Sequence, residues 1–190
     1  MSAVRIGQQL GIGGGGLIHR VICYLVVIHN SNLNLVENIH HIARALTHRG
    51  WLLSTCESCT GGWISKCLTD APGSSAWFAG GLVTYSNQLK QQLAAVSAQT
   101  LAQHGAVSEA VAAAMARGCA RSTHSQACVA VTGIAGPGGG SVDKPVGMVC
   151  FGWYLQGHEV LLATRQFSGD RDQVRQQTVD HALRVLAGLL

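Results

Sequence analysis

Charged side chains are scarce in this sequence: Asp, Glu, Lys and Arg make up only 12% of its 190 residues. Set against 47% hydrophobic residues, that scarcity excludes a solvated, disordered chain and favours one domain with a sizeable core. Runs of basic residues are missing too. The net charge of +4 is scattered, which excludes a nucleic-acid footprint and leaves anionic small molecules as suitable partners. No apolar run reaches the roughly 20 residues of a membrane span; the stretch from Leu17 to Ile28 is interrupted by His19 and Arg20. Nor does a small-residue cleavage site follow it, as a secretory signal would require. A zinc centre lacks its second half, because the C-x-x-C of Cys56 and Cys59 is followed by no further cysteine pair and no H-x-x-x-H. Internal repeats and linkers are also absent. The seven cysteines are odd in number and sit mostly in apolar runs such as QACVAV, which reads as reduced core thiols of a cytoplasmic protein.

What is present divides in two. Residues 1–33, with GIGGGG followed by LIHRVICYLVVIHN, resemble nothing else in the chain. They read as an extension of uncertain structure carrying no catalytic group, a strand or peripheral anchor being the alternative. Residues 34–190 read as one layered α/β domain with a mixed, mostly parallel sheet flanked by helices. Leu35, Ile39, Ile42, Ala43 and Leu46 recur at helical spacing, with Gly50 as the stop. WLLSTCES follows as a buried strand, then a helix closed by Pro72 and Gly73, then WFAGGLVTYS as a second strand. Ser108 and Glu109 open a long helix through SEAVAAAMARGCAR. QACVAVTG is the next strand, PVGMVCFGWYL and EVLLATRQF form a hairpin, and DRDQVRQQTVDHALRVLAGLL closes the chain as an amphipathic helix.

The stretch TCESCTGGW, residues 55–63, poses the functional question: a thiol pair, or a turn that presents Ser58. The cysteines straddle a strand end instead of sharing a helix N-terminus, so buried structural thiols fit better than a redox pair. Ser58 stands where a strand meets a turn of small residues before a helix. That geometry exposes a nucleophile and aims helix amides at a reacting oxygen, although the motif is not G-x-S-x-G and a serine there also serves as a cap. TYSNQLK places Tyr85 and Lys90 beyond the next strand, in the crevice where the C-terminal loops of adjacent strands meet. A lysine shielded from water can act as the base for a serine; an exposed lysine on a helix turn is the alternative. Tyr85 reads equally as a strand-end aromatic.

Two loops add to this. TGIAGPGGGS, from Thr132 to Ser141, has glycines that let several N–H groups converge on an anion, but neither a Walker ending nor dinucleotide-fingerprint spacing. SGDRD opens the last helix, with Ser168 or Asp170 as cap, and with Arg171 and Arg175 either facing a phosphate or solvated.

Together, ESCTGG (57–62), PGSSAWF (72–78), VTYSNQLK (83–90), HGAVSE (104–109), TGIAGPGGG (132–140), KPVG (144–147) and FSGDRDQVR (167–175) resemble the CinA C-terminal domain family. The motifs occur in order across residues 34–190. The characterised members of that family are nicotinamide-nucleotide amidohydrolases. The resemblance implies hydrolysis of the carboxamide of nicotinamide mononucleotide to nicotinate mononucleotide and ammonia, with Ser58 as nucleophile, Lys90 as its base and Tyr85 as a relay or positioning group. It implies substrate contacts from Thr60, Gly61, Gly62, Thr132, Gly133, Gly136, Gly138, Lys144 and Arg171, an oxyanion site near Thr60 to Gly62 or at Thr132 and Gly133, no metal or cofactor, and a homo-oligomer. A non-catalytic nucleotide-binding or interaction module of competence or DNA-damage responses is the second reading, and thiol redox chemistry the third. Cys56 stands where the family usually has a small residue such as alanine, and the N-terminal domain of the longer members has no counterpart here, so their additional activity does not transfer.

Overall fold

The computed structural model describes residues 34–190; the extension read over residues 1–33, with Cys23, lies outside the described residues. Helix α1 (Leu35–Arg49) realises the expected periodicity, burying Ile39, Ile42 and Leu46. It opens with a capping box in which the Asn34 side chain accepts from the Glu37 N–H and the Glu37 carboxylate accepts from the Asn34 N–H. It ends at Gly50, whose φ of 63° is the left-handed stop that glycine supplies. The chain continues through β1 (Leu53–Glu57), α2 (Trp63–Thr69), a 3₁₀ turn (Ser74–Ala76) and β2 (Phe78–Val83). Next come α3 (Asn87–Ala94), α4 (Ala98–His104), α5 (Glu109–Ser122), β3 (Ala127–Gly133), β4 (Met148–Leu155), β5 (Leu161–Gln166) and α6 (Arg171–Leu189). The short helices α3 and α4 carry little apolar periodicity, and their starts are set by Ser86 and Ser97, which accept from the N–H groups of Leu89 and Thr100. Ser108 caps α5 as expected, and Asp170, not Ser168, caps α6. Among the described residues no helix is long and apolar enough to cross a membrane.

The sheet order is β2-β1-β3-β4-β5. β1 pairs parallel with both β2 and β3, and the β3/β4 and β4/β5 ladders are antiparallel, the last being the expected hairpin. Four of the five strands therefore point the same way. Both faces of β1 and β3 are covered, which is why LSTCE and ACVAVTG are apolar or small except at Glu57. On one face Leu53, Val129 and Val131 pack with α1, α2 and α6. On the other, Cys56, Cys128 and Ala130 pack with α3 and α5. The alanine-rich sequence of α5 serves close approach: a Cβ on Gly118 would fall 1.7 Å from the Ala94 carbonyl oxygen.

The first core also encloses His181 of α6, which is 6% exposed and lies among the rings of Phe151, Trp153 and Phe167. Burial, then the charges of Arg165 and Arg184, push its imidazole down to about 4 from an ordinary 6.5. Above pH 6.5 it is neutral folded or unfolded. As pH falls from 6.5 to 4 the unfolded chain takes up a proton that the folded chain refuses, and stability drops by roughly 3 kcal/mol. His181→Met is expected to flatten this loss, checked by urea midpoints of both proteins between pH 7 and 4; parallel pH curves would refute it.

Topology fixes where a site can form. From β1 the chain crosses to β2 on one side and then returns to β3 on the other. The C-terminal ends of β1 and β3 are thus the switch point where a parallel sheet opens a crevice.

Candidate active site

The turn after β1 is built around Glu57, a side chain with no exposure whose role the sequence reading did not assign. Its Oε2 accepts from the Thr60 hydroxyl (2.7 Å) and from the N–H groups of Gly62 (3.1 Å) and Ile64 (3.0 Å). Its Oε1 accepts from the Ser65 N–H (2.8 Å) and hydroxyl (2.7 Å), and from the Thr55 hydroxyl at 3.3 Å. The carboxylate satisfies the amides that open α2 and lies at the positive end of that helix. A signal was available: an acid ending an otherwise apolar strand must find donors, and small residues before a helix supply them.

This turn leaves Ser58 just past the strand, its N–H donating to the Val131 carbonyl at 3.1 Å and the residue 8% exposed. Lys90 reaches it from α3. The Lys90 Nζ is 3.0 Å from the Ser58 Oγ and also donates to the carbonyls of Thr84 (2.8 Å) and Tyr85 (3.4 Å). Only 2% of Lys90 is exposed, and among the described residues it makes no ion pair. Desolvation pulls its ammonium below the ordinary 10.5, the dominant influence on it. A buried lysine without a counter-charge, in contact with a serine hydroxyl, is equipped to accept that hydroxyl's proton.

Ser58, Tyr85, Lys90, Thr132, Gly133 and Arg171 all line one cavity of about 240 Å³. Asn87, absent from the sequence reading, joins them at the start of α3. Tyr85 is 60% exposed at the rim; its hydroxyl accepts from Arg171 Nη2 at 3.2 Å, while Arg171 Nη1 donates to the Gly136 carbonyl at 2.8 Å. Thr132 Oγ1 donates to the Ala106 carbonyl at 2.8 Å. The other expected contacts lie outside the lining. Thr60 turns its hydroxyl to Glu57, Gly61 and Gly62 shape the turn at φ 64° and 98°, and Gly138 is exposed. Lys144 donates to the His104 carbonyl at 2.6 Å, tying the glycine-rich loop to the end of α4.

The thiol pair does not converge. Cys56 packs on the α5 side of the sheet and Cys59 on the α6 side, and both are free and buried. The hydrogen bond that Cys56 donates to Cys119, then burial, raises the Cys56 thiol; burial pushes Cys59 up to about 12. Both are therefore held in the unreactive thiol form. Among the described residues no cluster of His, Cys, Asp or Glu could hold a metal ion.

Known proteins resemble this arrangement over nearly all the described residues. "Nicotinamide-nucleotide amidohydrolase PncC" of Escherichia coli K12 is 48% identical over 152 residues, covering 80% of this chain and 92% of that one. The protein of the same name from Enterobacter agglomerans is 51% identical over 154 residues, covering 81% and 94%. A crystal structure of a CinA superfamily protein from Escherichia coli superposes with a TM-score of 0.79 at 34% identity, covering 83% of this chain and 91% of that one. The CinA C-terminal domain matches residues 36–190, and the chain belongs to that family.

Proposed function

We propose that the protein hydrolyses the carboxamide of nicotinamide mononucleotide, giving nicotinate mononucleotide and ammonia through a serine-lysine mechanism. The observation that carries the reading is the 3.0 Å contact between Lys90 Nζ and Ser58 Oγ, buried and, among the described residues, free of any carboxylate partner. The relatives named as amidohydrolases, 48% and 51% identical, supply the substrate class.

The chemistry follows from the hydrogen bonds. Once Lys90 is neutral, its two remaining N–H groups stay on the Thr84 and Tyr85 carbonyls, and its lone pair faces the Ser58 hydroxyl. Ser58 Oγ bonds to the carboxamide carbon as its proton passes to Lys90, and the carbonyl π pair moves onto oxygen. Collapse of the tetrahedral intermediate breaks the carbon–nitrogen bond, with Lys90 returning the proton to the departing ammonia. Water then attacks the acyl-enzyme, giving its proton to Lys90, and Ser58 leaves with that proton restored. At the rim, Arg171, held by the Gly136 carbonyl and the Tyr85 hydroxyl, is placed for the nucleotide phosphate. Tyr85 thereby acts as a positioning group.

The test is to incubate purified protein with nicotinamide mononucleotide, with and without a chelator, and quantify both products. Ammonia and nicotinate mononucleotide are expected in equal amounts, unaffected by the chelator. Binding without turnover would overturn the reading in favour of a non-catalytic nucleotide-binding module.

A further inference from the structure

Of the oxygen- and nitrogen-bearing side chains that line the Ser58 cavity, all but one are bonded within the chain. Lys90 Nζ donates to the Ser58 hydroxyl and to the carbonyls of Thr84 and Tyr85. Thr132 Oγ1 donates to the Ala106 carbonyl, and Arg171 donates to the Gly136 carbonyl and the Tyr85 hydroxyl. Asn87 is the exception. Gln91 Nε2 bonds to its backbone carbonyl at 3.4 Å, but among the described residues its side-chain amide has no hydrogen-bond partner. Nor is that amide the cap of α3, because the Ser86 hydroxyl accepts from the Leu89 N–H at 3.2 Å. An asparagine at a helix start commonly spends its amide on the nearby backbone. Here its neighbour does so, and the Asn87 amide is left for a ligand.

Its place along the cavity follows from α3. Asn87 and Lys90 are three residues apart, which puts both on one face of the helix with about 4.5 Å of axial rise between them. Lys90 is buried at the floor beside Ser58, whereas Asn87 is exposed and stands two residues after Tyr85, the aromatic side chain at the rim. The asparagine therefore lies between the reacting hydroxyl and the pair of Tyr85 and Arg171.

The proposed substrate leaves a matching gap. Its carboxamide meets Ser58 at the floor and its phosphate meets Arg171 at the rim, while its pyridinium ring has no further donor or acceptor, the ring nitrogen being bonded to the ribose. What remains is the ribose, whose two hydroxyls each donate and accept. An asparagine amide offers both functions, an acceptor oxygen and two N–H donors, at the end of one short side chain. We infer that Asn87 is a specificity-determining residue that holds the ribose hydroxyls of the nucleotide midway along the cavity. The inference rests on the amidohydrolase reading above for the identity of the ligand.

The experiment compares nicotinamide mononucleotide with its 2′,3′-dideoxy analogue on wild type, Asn87→Ala and Asn87→Asp, the last keeping acceptor oxygens for hydroxyl donors. Two readouts are taken: kcat and KM from ammonia release, and Kd by titration calorimetry with each of the three in a Ser58→Ala background, where nothing turns over. Wild type is expected to prefer the nucleotide over the analogue by about 10-fold, in KM and Kd and not in kcat. Asn87→Ala should shrink that preference to within about twofold, and Asn87→Asp should retain most of it, since carboxylates also accept from ribose hydroxyls. Each protein is compared with itself on two ligands, so any general loss from a disturbed α3 cancels. No preference in wild type, or one that survives Asn87→Ala, would overturn the inference while leaving amide hydrolysis in place. A loss in kcat that is equal for both ligands would also overturn it, because Asn87 would then act at the reacting centre. Conversely, no ammonia release from wild type together with an Asn87-dependent preference in Kd would sink the amidohydrolase reading and keep the ribose contact.

Discussion

Ser58→Ala and Lys90→Met are each expected to lower kcat by about 10⁴-fold or more, with the double variant scarcely slower than either single one. In the proposed mechanism the two groups form one device: without the hydroxyl the lysine has nothing to deprotonate, and without the lysine the hydroxyl keeps its proton. Independent contributions would instead multiply, so a double variant slower than each single one by a further large factor would break the dyad apart. The pH profile separates the roles further. In wild type, kcat/KM should rise with pH through an inflection below the ordinary 10.5 of lysine, because desolvation lowers the Lys90 ammonium. Any residual activity of Lys90→Met should lack that inflection.

The same lowered group has a stability consequence with a definite sign. Between its folded value and 10.5, the unfolded chain holds a proton that the folded chain does not, so folding stability rises with pH across that window. Below the window both states are protonated, and the folded state carries a buried, unpaired charge. Lys90→Met removes this slope. Denaturant midpoints from pH 7 to pH 10 should therefore climb less in the variant than in wild type, even as its activity vanishes. On the proposed mechanism, stability is held down here for the sake of a reactive base.

The strands and the helices α1, α2, α5 and α6 were legible because α1, β1, β3 and α6 have unmistakable periodicity or continuous burial and because Gly50 and Ser108 punctuate where they should; α3 and α4 were not read as helices. Ser58, Tyr85 and Lys90 could be grouped in advance since all follow strand ends of a parallel sheet, and such ends converge. The contacts of long cationic side chains were not legible. Lys144, Arg171 and Arg175 all looked available for an anion, yet Lys144 binds the His104 carbonyl and Arg175 the Cys59 and Thr60 carbonyls, while Arg171 reaches the cavity. These choices depend on loop paths that bring residues 40 and 116 positions apart into contact, and no local pattern encodes them. Asn87 was missed for the opposite reason: beside a capping serine, it reads as ordinary helix-start chemistry.

Glu57→Gln is expected to cost about 3 kcal/mol of stability and to reduce kcat by about 10²-fold, two losses from one cause. The carboxylate faces only donors: the hydroxyls of Thr55, Thr60 and Ser65 and the amides of Gly62, Ile64 and Ser65. Glutamine has the same shape but exchanges one acceptor oxygen for an NH₂ group, which would confront these donors with further hydrogens. One orientation orphans the Ser65 N–H and the other the N–H groups of Gly62 and Ile64, and either removes the negative charge at the start of α2. Relaxing that turn moves Ser58 against Lys90. Urea denaturation and steady-state kinetics on the same preparation check both halves. Loss of activity at full stability would make Glu57 a participant in the chemistry itself. Loss of stability with wild-type kcat in the folded fraction would show that α2 alone needs the carboxylate. The coupled loss expected here contrasts with Lys90→Met, where activity falls without it, and that contrast separates the residue that shapes the turn from the one that works in it.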